Sequence, residues 1–170
     1  TLNFITGANA SGKSSLLEAM FILGRARSFR THHIKQAISF DQPQLIVAAQ
    51  LQHFNGSISQ IGIQIDGKQT EIRIDQENRQ KADLAYALPV QLIHPKSYRL
   101  LDAGPQNRRE FLDWGIFNHN QSFLTNWRKF SKALQQRNAL LKSRQIREIS
   151  AWDRELAEYG SLVNDFRQDY

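Results

Sequence analysis

A glycine-rich segment near the beginning of the chain carries the residue pattern with the clearest chemistry. Residues 7–14 match the pattern G-x-x-x-x-G-K-[ST]. The glycines let backbone amides turn toward phosphate groups, Lys13 supplies a cation for β- and γ-phosphate oxygens, and the hydroxyl of Ser14 can bind Mg²⁺. The nucleotide-binding residues that this pattern predicts are Gly7, Ala8, Asn9, Ala10, Ser11, Gly12, Lys13, Ser14 and Ser15. Ser15 is equally compatible with an ordinary residue in the first turn of a helix.

Hydrolysis of a bound nucleoside triphosphate needs groups that this segment does not supply. A second carboxylate must bind Mg²⁺ and another group must position water. No run of four aliphatic residues in this sequence ends in Asp, and there is no Ser/His/Asp signature. The five histidines have no metal-ligand spacing. We therefore expect no catalytic residue in this chain and no nucleotide turnover by the chain alone.

The loop needs a strand before it and a helix after it, and its flanking residues fit both. Residues 2–6 are predicted to form a short strand. Residues 14–23 are predicted to form a helix that is apolar on nearly every side, which is typical of a helix inside a core. Gly24 is predicted to end that helix.

The middle of the chain has the pattern of an antiparallel β layer. Over residues 44–75, isoleucines alternate with polar residues, and the pairs Asn55-Gly56 and Asp66-Gly67 are strong hairpin-turn signals. Residues 83–88 are predicted to form a short helix and residues 89–93 another strand. Pro105 is predicted to be the first residue of a further helix.

The last third of the chain is predicted to be helical. Seven residues follow a strict 3-4 heptad spacing, namely Ile149, Trp152, Leu156, Tyr159, Val163, Phe166 and Tyr170. The preceding helix has a weaker stripe that Arg137 interrupts, comprising Phe123, Trp127, Phe130, Leu134 and Leu141. We expect the two helices to pack as an antiparallel hairpin, although an ordinary pair of amphipathic helices fits the pattern about as well.

Charge is unevenly distributed over the 170 residues, whose formal net charge is +6. Seven basic residues and no acid lie within residues 119–147, whereas residues 148–170 are acidic overall. The basic excess points to an anionic partner such as nucleic acid. The absence of cysteine fits a reducing, cytoplasmic location, and no apolar run approaches the roughly 20 residues of a membrane span.

Several stretches together resemble one protein family. Residues 7–19 read GANASGKSSLLEA, which resembles the phosphate loop of ABC and SMC ATPases. Residues 23–31 (LGRARSFRT), 104–114 (GPQNRREFLDW) and 135–142 (QQRNALLK) occur in the same order in the RecF family of bacterial DNA replication and repair proteins. These three stretches are much more specific than the phosphate loop.

The resemblance implies an α/β fold: a partial, SMC-like ABC ATPase head with an antiparallel β layer and a helical, coiled-coil-like arm. It assigns residues 1–118 to the head and residues 119–170 to a truncated arm, so that the chain would be an N-terminal half. It also implies that ATP and Mg²⁺ close a head homodimer on DNA. Family members act with recombination mediators at single-strand gaps, support recombinase loading and the SOS response, and are weak DNA-dependent ATPases.

Two features depart from the family loop, which usually has Gly in place of Ala10 and often Thr in place of Ser14. Serine keeps the hydroxyl for Mg²⁺, whereas Ala10 would be strained by about 1 kcal/mol if that position needs a positive φ. By position, Gln91 is a candidate sensor of water and Mg²⁺, or else an outward strand residue.

Basic residues in two clusters are candidates for DNA contacts. They are Arg25, Arg27 and Arg30 after the first helix, and Arg128, Lys129, Lys132 and Arg137 in the arm. The arm cations could instead be neutralised by acids of the partner helix, such as Asp153. The alternative function is a non-hydrolysing scaffold that uses the loop structurally and the hairpin for binding proteins.

Overall fold

A computed structural model describes residues 2–144 and 146–170. The chain divides into two compact units, one ending at Ile93 and the other comprising His94–Tyr170. In chain order, the elements are α1 (Lys13–Arg25), β1 (Gln44–Gln52), β2 (Ile58–Asp66), β3 (Thr70–Ile74), β4 (Glu77–Asn78), α2 (Lys81–Ala87), α3 (Arg99–Asp102), α4 (Pro105–His119), α5 (Gln121–Ser143) and α6 (Ile149–Asp169). Short 3-10 turns lie at Ile34–Ala37, Pro95–Tyr98 and Ile146–Glu148.

The first unit is built around an antiparallel sheet in the order β1-β2-β3-β4, which confirms the predicted meander. Val47 on β1 pairs with Ile63 on β2, and Ile63 pairs in turn with Ile72 on β3. Alternate side chains of a strand point to the same face, so the isoleucines of β2 and β3 form one apolar surface. That surface packs with Ile22 of α1 and Leu84 of α2 in the core.

Helix α1 follows the phosphate loop as predicted, but it is buried on one side only. Ile22 and Leu23 lie in the core, whereas Leu16 and Met20 are about half exposed. The prediction that Gly24 ends the helix was wrong, because the left-handed C-cap residue is Ala26. Gly24 is instead a buried residue within the helix. A Cβ atom at this position would lie 2.5 Å from Val90 Cγ2, so no larger residue fits without a shift of its neighbours.

Two predicted strands do not form in this structure. Residues 2–6 and 89–93 contain no helix or strand. A strand requires a hydrogen-bonded neighbour, and neither segment pairs with a strand among the described residues. As a result, Leu2 and Phe4 are more than four-fifths exposed.

The second unit is helical, and α4 begins as predicted, with Gly104 at a positive φ and Pro105 in the first turn. Helices α5 and α6 form the expected antiparallel hairpin: Phe123 packs edge-on against Phe166 at one end, and Arg137 bonds Asp153 farther along. The compact unit begins at His94, before the predicted boundary of the arm after residue 118.

The predicted seam of the hairpin is formed in part. On α6 the predicted positions from Ile149 to Phe166 are buried or partly buried, but Tyr170 is 61% exposed; on α5 only Phe123 and Phe130 of the predicted stripe lie inward. A series of α5 positions spaced alternately by three and four residues is buried or partly buried, at Phe123, Asn126, Phe130, Ala133, Arg137 and Leu140. Trp127 and Leu134, predicted to lie in the seam, are more than one-third exposed. Trp127 instead donates a hydrogen bond from Nε1 to Asp113 Oδ2 of α4, at 3.0 Å. This contact with α4 explains both the rotated seam and the inclusion of α4 in the helical unit.

Candidate nucleotide site and basic surfaces

The phosphate loop connects an exposed N-terminal segment to α1. Ser11 N donates to Ala8 O at 3.3 Å, which closes a tight turn inside the loop. Gly12 is the N-cap of α1 at φ 87°, a left-handed conformation that glycine adopts without strain. Residues 7–12 (GANASG) therefore contain a tight turn that leads directly into the N-terminus of α1.

Ala10 has a positive φ of 64° in this loop. This observation confirms the concern raised by the sequence, because a left-handed conformation costs a non-glycine residue roughly 1–2 kcal/mol. The family's usual glycine would avoid that cost.

Lys13 folds back over the loop. Its Nζ donates to Gly7 O at 2.8 Å and to Ala8 O at 2.6 Å. These bonds use two of the three N–H groups of the ammonium and hold the cation against the loop backbone. The third N–H group can donate to a phosphate oxygen bound at the loop.

The first turn of α1 offers the remaining donors. The N-cap supplies no side-chain hydrogen bond, and Leu16 N bonds Gly12 O, so the amides of Lys13, Ser14 and Ser15 are available to an anion. The hydroxyls of Ser14 and Ser15 are exposed at the same end of the helix. Backbone amides, a lysine and a hydroxyl form the donor set that a magnesium–triphosphate requires, so these residues fit ATP and Mg²⁺.

A carboxylate that the sequence reasoning did not identify lies one turn farther along α1. Glu18 is only 9% exposed and accepts hydrogen bonds from Ser28 Oγ and from Arg30 Nη1, the latter at 3.1 Å. Glu18 lies in the matching stretch 7–19, and Ser28 and Arg30 lie in the stretch 23–31, but neither stretch by itself indicates that these side chains are in contact. Only the fold reveals that these groups meet.

The arginines after α1 have different environments. Arg25 lies over the ring of Phe21, and burial together with the charge of Arg27 lowers its pKa to about 10. Arg27 is exposed, and Arg30 is partly neutralised by Glu18. The predicted cluster therefore consists of one exposed cation, Arg27, one half-buried cation, Arg25, and one ion-paired cation, Arg30.

The arm cations are also divided by their contacts. Arg137 Nε bonds Asp153 Oδ1 at 2.5 Å across the hairpin, and Lys129 Nζ lies 4.9 Å from the centre of the Tyr159 ring. By contrast, Arg128, Lys132 and Lys142 are exposed and make no ion pair or hydrogen bond within the described ranges. The alternative that acids of α6 neutralise the arm therefore holds for Arg137 but not for these three.

A second ion pair lies within the helical unit. Asp113 of α4 accepts two bonds from Arg167 of α6, at 2.7 and 2.8 Å. Both side chains are less than one-fifth exposed. Glu110 accepts from Gln106. The pairing across 54 positions was not predictable from local spacing.

Gln91 lies exposed on the irregular segment after α2. The strand that motivated its candidate role is not formed there, so that role stays a prediction. In the described part of the chain, no group of three or more His, Asp or Glu residues is placed to hold a metal ion. None of its helices is long and apolar enough to cross a membrane.

Comparison with known proteins identifies relatives along nearly the whole sequence. The RecF/RecN/SMC N terminal domain matches residues 1–151. The DNA replication and repair protein RecF of Pseudomonas syringae pv. syringae is 43% identical over 173 residues, covering 99% of this chain and 47% of that protein. RecF of Pseudomonas putida is 41% identical over 172 residues, with the same coverage. The chain thus spans about half the length of the curated relatives it matches.

Solved structures of the same kind of protein share the fold. The recombination mediator protein RecF in complex with ATP, in the RecFOR pathway, superposes with a TM-score of 0.85 at 25% identity, over 99% of this chain and 49% of that one. A second RecF structure, with ATPrS, gives 0.82 at 25% identity, over 96% and 46%. The fold comparison supports a partial ATPase head with an antiparallel layer and helices.

Proposed function

Because this chain belongs to the RecF/RecN/SMC N-terminal domain family, we propose that it forms the nucleotide-binding half of a RecF-like ATPase of DNA replication and repair. ATP binds with Mg²⁺ along Gly7–Ser14. The observation that carries this proposal is the loop geometry: Lys13 Nζ bonds the carbonyls of Gly7 and Ala8 within the loop, and the first amides of α1 have no capping side chain. The ATP-bound solved relative supports it.

DNA is the second ligand in this proposal. The exposed cations of α5 bind the phosphate backbone, which requires no sequence readout and depends strongly on salt. ATP closes two heads into a homodimer around DNA, and the complex works with recombination mediators at gaps in the cytoplasm, in recombinase loading and the SOS response. The names of the relatives support repair and replication, and the RecFOR pathway of the solved relative supports mediator partners.

The nucleotide site is tested by equilibrium binding of ATP with Mg²⁺ to the purified chain and to Lys13→Ala. The variant should lose at least about tenfold in affinity, because charge-assisted hydrogen bonds to phosphate contribute roughly 1.5–3 kcal/mol. Lys68→Ala is the matched control, since Lys68 is exposed in the β2–β3 turn and remote in sequence from the loop. Its affinity should equal that of the parent.

An unchanged ATP affinity in Lys13→Ala would contradict the site and favour the scaffold alternative. In that alternative, the loop serves folding, and Lys13→Ala lowers the thermal stability without altering ligand binding. Measuring the unfolding temperature of both variants beside the binding constants separates these results.

A further inference from the structure

The turn between β1 and β2 contains Asn55-Gly56, and in the sequence no other asparagine precedes a glycine. In such a pair, the backbone nitrogen of glycine can attack the side-chain amide of asparagine, because glycine has no Cβ to hinder the approach. Both residues and the neighbouring Phe54 are exposed, so water reaches the turn. Whether the pair reacts therefore depends on how the turn holds the two groups.

The side-chain carbonyl of Asn55 has hydrogen bonds that favour this attack. Its Oδ1 accepts from Ser57 N at 3.0 Å and from Ser57 Oγ at 2.7 Å. Attack on Cγ turns the carbonyl oxygen into an oxyanion, and donors already aimed at that oxygen stabilise the charge as it develops. Both donors belong to Ser57, so this residue supplies the groups that an oxyanion at the tip of the hairpin requires.

One hydrogen bond of the turn opposes the reaction. Gly56 N donates to His53 O at 2.9 Å, so the attacking nitrogen must first leave that bond. A single exposed hydrogen bond contributes little net free energy, and breaking it slows the attack by about tenfold at most. Steric hindrance is absent at Gly56, where even an added Cβ would meet no heavy atom within 4 Å beyond its chain neighbours. The turn therefore slows the attack without preventing it.

The turn between β2 and β3 has similar hydrogen bonds but a different chemical group. Asp66 precedes Gly67, and its Oδ1 accepts from the amides of Lys68, at 2.6 Å, and Gln69, at 2.7 Å. These bonds lower the pKa of Asp66, so its carboxyl group is ionised at neutral pH. A carboxylate is a much poorer electrophile than an amide, because its negative charge opposes the approach of an electron pair. We therefore expect no comparable reaction at Asp66.

We propose that Asn55 is a site of non-enzymatic deamidation, in which Gly56 N attacks Asn55 Cγ while Ser57 stabilises the oxyanion. The new N–C bond closes a succinimide ring, and water transfers the proton of Gly56 N to Nδ2, which leaves as ammonia. A water molecule then opens the ring at one of its two carbonyls and gives isoaspartate or aspartate. Each product replaces a neutral amide with a carboxylate. The inference does not depend on the proposed function.

The isoaspartate product changes the hairpin as well as its charge. Its backbone runs through the former side chain, so the turn between His53 and Ser57 becomes longer by one atom. The bonds that close the turn, from His53 N to Ser57 O and from Gly56 N to His53 O, then lose their alignment. Because loop length sets the register of a hairpin, we expect the converted chain to unfold at a lower temperature than the parent.

The test is incubation of the purified folded chain at neutral and at mildly alkaline pH, followed by mass spectrometry of its peptides. The Asn55 peptide should gain the mass difference between NH₂ and OH, faster at alkaline pH, and chromatography should separate isoaspartyl from aspartyl products. Asn126 should stay unconverted over the same period, because it lies within α5. Asn55→Gln should also stay unconverted, since glutamine would have to close a larger ring.

The role of Ser57 is tested by Ser57→Ala, which removes the hydroxyl donor and keeps the backbone amide. The folded variant should convert several-fold more slowly than the parent. Ser59→Ala is the matched control, because it removes a hydroxyl from the same strand, one that bonds His53 rather than Asn55. It should convert at the parent's rate. In concentrated urea, where the turn is lost, the parent and Ser57→Ala should convert equally fast.

An Asn55 peptide that keeps its mass in the folded chain at alkaline pH would overturn the inference. Conversion of folded Ser57→Ala at the parent's rate or faster would overturn the assignment of Ser57 as the oxyanion donor. Equal slowing in Ser59→Ala would do the same, because any loss of a hydroxyl would then suffice. A difference between the parent and Ser57→Ala that persists in urea would show that the folded turn is not its cause.

Discussion

The exposed cations on the outer face of α5 allow a quantitative prediction about DNA binding. Arg128 and Lys132 lie on the side of α5 opposite the seam, since residues advance by about 100° per position along a helix. Lys142 extends the same basic face toward the end of the helix. These three cations are exposed and unpaired with other described residues, whereas Arg137 and Lys129 contact α6. We expect three phosphate contacts from this face.

The perturbation is the triple variant in which Arg128, Lys132 and Lys142 become Gln. Each phosphate contact contributes about 0.9 to the slope of log K against log salt, so the variant's slope should be less negative by about 2.7. Between about 50 and about 200 mM salt, the parent should therefore lose about 40-fold more affinity than the variant does. Fluorescence anisotropy with a short duplex, over a salt series, measures both slopes.

A control variant with the same charge change uses cations outside the hairpin and comprises Lys68→Gln, Lys81→Gln and Arg99→Gln. All three residues are exposed. If α5 forms the contact, this control should keep the parent's slope. Equal slopes for the parent and the α5 variant would refute the reasoning, and equal changes in both triple variants would show that net charge alone governs binding.

Three further predictions concern stability. Ala10→Gly should raise the free energy of unfolding by about 0.5–1 kcal/mol, because the relief of left-handed strain at φ 64° exceeds the entropy that glycine adds to the unfolded chain. Unfolding followed by circular dichroism measures this change, and the control Ala8→Gly should be slightly destabilised instead. Gly24→Ala should destabilise by about 1–3 kcal/mol because its Cβ would lie 2.5 Å from Val90, whereas Gly160→Ala, with a nearest contact of 3.6 Å, should stabilise by up to about 1 kcal/mol in urea unfolding. Backbone hydrogen bonds from Gln69 and Lys68 lower the pKa of Asp66 from 3.8, so the carboxylate stabilises the fold above that pH and this contribution is lost on further acidification. Asp66→Asn should therefore reduce the loss of unfolding free energy at acid pH, as measured by urea unfolding over a pH series. The same acid dependence in the variant and the parent would contradict the assignment.

Local signals in the sequence predicted the parts of the fold that depend on local chemistry. The Asn55-Gly56 pair and the Asp66-Gly67 pair predicted the positions of the two turns between strands. The second turn is stabilised by Asp66, whose side chain accepts hydrogen bonds from the amides of Lys68 and Gln69. The start of α4 at Gly104-Pro105 was also predicted correctly. Proline is favourable at the first position of a helix, because the amide hydrogen that it lacks would have no partner within the helix. In each case, a few adjacent residues contain the whole physical cause.

Features that depend on distant partners were predicted less well. The segments 2–6 and 89–93 have apolar residues suited to strands, but a strand exists only when another strand accepts its hydrogen bonds. On α5, two apolar stripes lie side by side, and Trp127 belongs to the one that faces Asp113 rather than α6. The small Ala133 then occupies the fully buried seam position that Leu134 was expected to fill.

The two proposed ligand sites differ in the same way, because a local sequence motif indicates the nucleotide site whereas the DNA surface depends on tertiary contacts. The phosphate loop is local, because its amides, lysine and hydroxyl all come from one turn and one helix end, so eight residues nearly specify the site. A nucleic-acid surface depends on which cations stay available after folding, and that is a tertiary property. Arg137 illustrates the point: by sequence it belongs to the basic segment, yet its seam position commits it to Asp153. Counting charges therefore overestimates the number of arm cations available to DNA in the proposed complex, and the salt slope, which counts the contacts formed, is the decisive measurement.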